Sequence, residues 1–213
     1  METSSLFLYA LLGASASFIG TLPVGPINIS VVYTTLNENL TTALRLAFAA
    51  ALVEIGQSFL AIHCGHLINS ALDNDYVKYA LIVLFLVIGV LFLLKKNKSS
   101  INPDEEARKK KNSPFVRGLL IAALNPQALP FWVFVLTFLQ STSYVSADSF
   151  MRISALLVFL LGVSIGKWLA LALYGYLSVL ISKRLTTITQ FMNKIIGGIF
   201  LVLGVVQLVK VLT

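Results

Sequence analysis

Apolar positions gather into six long stretches, at about residues 6–34, 42–66, 78–95, 115–140, 153–181 and 192–212. A helix needs about 20 such residues to cross the hydrocarbon core of a bilayer. Within the core the backbone finds no water, so only helices or closed barrels span it, and long unbroken runs lack the alternation of a barrel strand. The pattern therefore predicts an all-α integral membrane protein with six transmembrane helices. Leu6–Leu12 followed by Ala14-Ser15-Ala16 has the outline of a cleaved signal peptide. However, the preceding residues hold Glu2 and no Lys or Arg, and the apolar run continues far past residue 16, so we expect a retained span.

Composition agrees with the pattern. The 213 residues are 57% hydrophobic and 12% charged, with a mean hydropathy of +0.87. Soluble chains carry about 25% charged residues. The net charge of +7 does not point to nucleic acid, because the basic residues lie between apolar runs rather than among aromatics on one soluble face. The single cysteine, Cys64, excludes an internal disulfide.

Basic residues are unequally divided between alternate connections. One set holds Arg45, Lys95, Lys96, Lys98, Arg108, Lys109, Lys110, Lys111, Arg117, Lys183, Arg184 and Lys194, and the other holds only Lys78, Arg152 and Lys210. By the positive-inside rule the first set is cytoplasmic, which puts both termini outside. The long connection at 96–114, with Asp104-Glu105-Glu106 ahead of its basic cluster, reads as a solvated cytoplasmic linker. It separates residues 1–95 from 115–213, three spans each. Halves with an odd number of spans must be inverted relative to one another. In transporters built this way, solute sites lie near the midplane at interrupted helices.

Each half opens on such an interruption: Gly20-Thr21-Leu22-Pro23-Val24-Gly25-Pro26-Ile27-Asn28 in the first span and Asn125-Pro126-Gln127-Ala128-Leu129-Pro130 in the fourth. Paired prolines remove backbone donors and clash with carbonyls a turn earlier, so neither helix runs through unbroken. Asn28, Asn125 and Gln127 stand beside the breaks, placed either to satisfy freed backbone groups or to contact a solute.

Together, these elements resemble the LysE/RhtB superfamily of amino-acid exporters. Pro23-Val24-Gly25-Pro26-Ile27-Asn28 corresponds to the family's Pro-Gly-Pro-type element, and Leu124-Asn125-Pro126-Gln127-Ala128 to its Asn-Pro-Lys-like element, with Gln127 where lysine is usual. A weaker match is Leu161-Gly162-Val163-Ser164-Ile165-Gly166 followed by Trp168. The resemblance implies export of amino acids or similar small polar metabolites across a bacterial cytoplasmic membrane. It also implies that Pro23, Gly25, Pro26, Asn28, Asn125, Pro126 and Gln127 form the substrate-binding region. No cofactor and no resident metal are expected.

Two ionisable residues lie near the centres of spans, Glu54 in the second and Lys167 in the fifth, at corresponding places in the two halves. Such groups are costly in lipid, so they face the bundle interior and seek partners; we expect them to pair. Glu54, Gln57 and Ser58 share one helical face, as do Ser164, Lys167 and Tyr174, and facing stripes of this kind line a cavity. Burial favours a neutral carboxyl and a nearby ammonium favours a charged one. Alternating exposure of Glu54 would thus couple proton entry to solute exit.

Other chemistry is weaker. His63, Cys64 and His66 lack enough same-face ligands for zinc, and Asp73 and Asp75 would have to fold back to complete a site. An intramembrane acid–base enzyme is disfavoured because the histidines lie about 13 Å or more along the helix from Glu54. A channel for divalent cations should show several intramembrane carboxylates, and only Glu54 qualifies. No GxxxxGK[ST] loop is present for ATP-driven transport. The expected partners are a small solute, protons and lipid; the Gly162-Gly166 spacing suits helix packing within one bundle as well as a homo-oligomer.

Overall fold

A computed structural model describes residues 2–72, 75–94, 113–125, 128–141 and 150–184, together with individual positions between 191 and 209. Among these residues there is no strand. The helices are α1 (Glu2–Thr21), α2 (Pro26–Asn37), α3 (Leu40–Leu72), α4 (Asp75–Leu94), α5 (Pro114–Ala123), α6 (Ala128–Ser141), α7 (Ile153–Tyr176) and the short α8 (Ser178–Ser182). Within α3 and α7, Leu40–His63 and Ile153–Tyr176 are each long and apolar enough to cross a membrane alone. Two bent pairs reach the same length together: α1 with α2, turned by 77°, and α5 with α6, turned by 64°.

Both bends fall where the prolines predict them. Pro26 occupies the first turn of α2, where its missing N–H costs nothing, and Pro114 does the same for α5, capped by Ser113 Oγ accepting from Val116 N. The fifth span ends sooner than the apolar run suggests: α7 stops at Tyr176, and a turn at Leu177 leads into α8. Hydropathy alone does not register this turn, because Leu177 is as apolar as its neighbours.

The chain divides into two compact units, residues 1–63 with 101–183, and residues 64–100 with 184–213. In the first, α1 and α7 meet almost without intervening side chains. A Cβ added at Gly162 would run into the Ala10 carbonyl, one at Gly166 into the Ala14 carbonyl, and one at Gly13 into the Phe159 carbonyl. The equal offset of Ala10–Gly162 and Ala14–Gly166 shows that the two helices run parallel. Small residues thus pack helices of one chain, as small-xxx-small spacing does elsewhere. Likewise α5 lies on α3, where a Cβ at Gly118 would strike the Leu46 carbonyl. Trp132, Leu136 and Leu139 of α6 join Phe159, Leu160 and Val163 of α7 in an apolar core, with Trp132 and Phe159 edge-to-face at 6.0 Å.

In the second unit α4 packs against the helical positions between 191 and 209. A Cβ at Gly197 would meet the Gly89 carbonyl at 2.9 Å, and one at Gly204 would meet the Leu86 side chain. The order of these contacts makes the two segments antiparallel. Most of the linker at 96–114 lies outside the described residues, as do Pro126 and Gln127 and the side chains of Cys64, His66, Asp73 and Asp75.

Candidate functional site

Glu54 is 3% exposed, and two other helices reach its carboxylate. Ser17 Oγ of α1 donates to Oε1 at 3.1 Å, and Lys167 Nζ of α7 lies 2.5 Å from Oε2. Glu54 is the fifteenth residue of the 24-residue apolar segment of α3, and Lys167 the fifteenth of the 24 in α7. Corresponding positions therefore meet, as the sequence led us to expect. Neutralising each other is the condition on which two charges persist in so apolar a bundle.

From this pair a continuous line of hydrogen bonds runs to the break in the first span. Thr21 Oγ1 donates to the Ser17 carbonyl at 2.7 Å, Asn28 Nδ2 donates to the Thr21 carbonyl at 2.8 Å, and Gly25 N donates to Asn28 Oδ1 at 3.1 Å. Asn28 thereby spans the break with both ends of its amide, satisfying a carbonyl that α1 leaves free and a donor ahead of α2. Tyr174, seven residues beyond Lys167 on the same helix, donates its hydroxyl to the Leu22 carbonyl. Helix α7 thus touches both the buried carboxylate and the break.

An ion pair, two hydroxyls bonded to carboxylate and backbone, and a discontinuous helix thus meet at one place. A family model, LysE type translocator, matches residues 18–210, which take in both breaks and both charges. The chain belongs to the LysE type translocator family. Comparison with curated proteins and with solved structures gives no match.

LysE type translocators are transporters, which suits an all-helical chain with apolar spans. In this translocator the remaining candidate residues are dispersed. Pro23 lies between α1 and α2, and Gly25 has an extended backbone as the cap of α2. Ser58 is fully buried, its hydroxyl donating back to the Glu54 carbonyl at 2.8 Å, a habit of helical serines. Gln57 Nε2 donates to the Ala122 carbonyl at 2.9 Å and so caps the end of α5. Asn125 forms the turn after α5 through its backbone, its N–H donating to the Ala122 carbonyl and its own carbonyl accepting from Ala128 N. Ser164 faces a separate, largely apolar groove of about 590 Å³ that also includes Arg45, Phe48, Phe115 and Trp168. His63 Nδ1 lies 3.0 Å from the Phe59 carbonyl, and no group of three metal-ligating side chains occurs among the described residues.

The sequence pattern gives Ser17 no part, and Thr21 none beyond its place beside the break. The signal was present in their spacing: Ser17, Thr21 and Asn28 recur at intervals of four and seven, which would share one helical face if the break were ignored. The same reading placed Arg117 among the connecting-loop cations. It is 5% exposed on α5, with Nη2 3.0 Å from Glu38 Oε1 and 3.4 Å from Thr34 Oγ1.

Proposed function

We propose that this translocator exports amino acids or similar small polar metabolites across a bacterial cytoplasmic membrane in exchange for protons. Its six spans form two inverted repeats, residues 1–95 and 115–213, with both termini outside. The observation that carries this reading is the hydrogen-bonded line from the Glu54–Lys167 pair to the break between α1 and α2.

In that reading Glu54 is the proton carrier and Lys167 its counter-ion. Solute and proton compete for one carboxylate: the amino group of a solute pairs with ionised Glu54, and protonation of Glu54 from outside removes that partner and releases the solute, so the site carries one or the other and never both. Because Ser17 bonds to Glu54 through its hydroxyl and to Thr21 through its carbonyl, a change at the carboxylate is felt one turn on, at the break. The parallel course of α1 and α7 supports the assigned topology, since the first and fifth spans of an alternating six-span chain cross in the same direction.

Proton movement in proteoliposomes of the purified protein, measured while gradients of a panel of amino acids and related metabolites are imposed, tests the proposal. Solute-dependent proton flux that disappears in Glu54→Gln is expected and would identify the solute class. Solute flux with no proton movement, or unchanged coupling in Glu54→Gln, removes Glu54 from the mechanism.

A further inference from the structure

We propose that the Glu38–Arg117 ion pair is a latch that holds the inner end of the transport path shut in this conformation and must part for solute to enter from the cytoplasm. This inference rests on the transport reading above, but concerns residues which that reading does not use.

Arg117 is the fourth residue of α5. A long cationic side chain so near a helix end ordinarily snorkels to water. Here the guanidinium turns inward and is 5% exposed, meeting fully buried Thr34 on one side and Glu38, whose side chain is 25% exposed, on the other. The pair therefore sits at the boundary between the interior and solvent, as a closure would. Its Nε finds no acceptor among the described residues. A tie serving stability alone gains from full satisfaction, and an incompletely satisfied buried charge is a poor structural investment.

What the pair joins matters more. Glu38 caps the C-terminus of α2, its N–H donating to the Thr34 carbonyl at 2.9 Å, while Arg117 lies in the first turn of α5. One is the second arm of the first broken span and the other is the first arm of the fourth. The two arms belong to different halves of the chain, and each meets the rest of its bent pair at a break. The 12-residue arm α2 is ~18 Å long at ~1.5 Å per residue, so a swing of ~10° about Gly25 displaces its far end by ~3 Å. That displacement is as large as the ion-pair distance itself. The latch thus sits where a small change at the break has its largest effect. This end of the arms adjoins the basic connections, which the positive-inside rule assigns to the cytoplasm.

The test uses the full chain reconstituted in vesicles, with Cys64→Ala and Ser30→Cys; Ser30 is buried one turn before Thr34, so a thiol there reports opening. Its rate of reaction with a membrane-impermeant maleimide is measured separately from each side. Glu38→Gln and Arg117→Gln are expected to raise the rate from the cytoplasmic side by about fivefold or more, the lower range of ordinary conformational coupling. The exchange Glu38→Arg with Arg117→Glu is expected to return it close to the parent rate. An unchanged rate in folded single variants, a rise only from the outer side, or an exchanged pair that labels as fast as the single variants overturns the latch. Should the single variants fail to fold, the exchanged pair decides alone: labelling at the parent rate upholds the latch, and faster labelling removes it. Thiol labelling needs no solute, so a protein that labels as expected yet moves no protons counts against proton coupling and not against the latch.

Discussion

Replacing Glu54 with Gln leaves the Lys167 ammonium inside the bundle without its counter-charge. Removing one partner of a buried ion pair costs about 3–5 kcal/mol. Lys167 is 13% exposed and the amide oxygen of a glutamine can still accept from Ser17, so the lower end applies, about 3 kcal/mol. For a chain of this length each kcal/mol corresponds to a shift of ~2–4 °C, and Tm should fall by ~6–12 °C. Lys167→Met, which strands the carboxylate, should cost at least as much. In the double variant neither charge remains; against single losses that would add to about 6 kcal/mol it should lose no more than about 3 kcal/mol, a coupling energy of about 3 kcal/mol between contacting residues. Thermal unfolding of the purified protein in micelles, followed through the fluorescence of its two tryptophans, Trp132 and Trp168, provides the four corners of the cycle. Losses that add to within about 0.5 kcal/mol would refute the reasoning, because contacting partners do not behave independently.

Two other substitutions address the frame around the pair. Gly162→Leu should prevent α1 and α7 from closing, since even a Cβ at Gly162 collides with the Ala10 backbone; the expected outcome is loss of monodisperse protein on size exclusion, whereas Gly56→Leu, in open space, should be tolerated. Tyr174→Phe removes the donor to the Leu22 carbonyl and should lower stability by about 1–3 kcal/mol while reducing solute flux, and a variant with wild-type Tm and flux would show the clasp to be idle.

The two bends and the buried ion pair were legible because each breaks a local rule: proline inside an apolar run, or an ionisable residue in one. Glu38–Arg117 was not, since Arg117 near the end of an apolar run has the same pattern as any topology-setting cation and its partner lies 79 residues away. Gln57 and Ser58 show a related limit. A polar residue on a buried helical face reads the same whether it lines a cavity or donates to backbone, and here each donates to a carbonyl. Asn28 was legible as the residue beside the break, but that both ends of its amide are engaged there depends on how α1 and α2 meet. The early end of α7 was hidden by the uniform hydropathy of 153–181.

The contact of α1 with α7 is made largely of glycine against carbonyl. Such a surface has few rotamers to exchange, and sliding by a fraction of a turn would drive the Ala10 and Ala14 carbonyls off the glycines that admit them. The two helices therefore act as one strut, although they come from opposite ends of the chain. Flexibility is left to the four residues Leu22–Gly25 and to whatever α2 and α5 do beyond their breaks. In the proposed transport cycle the moving parts are then not the two halves of the chain but the arms α2 and α5, beside a fixed post of α1 with α7.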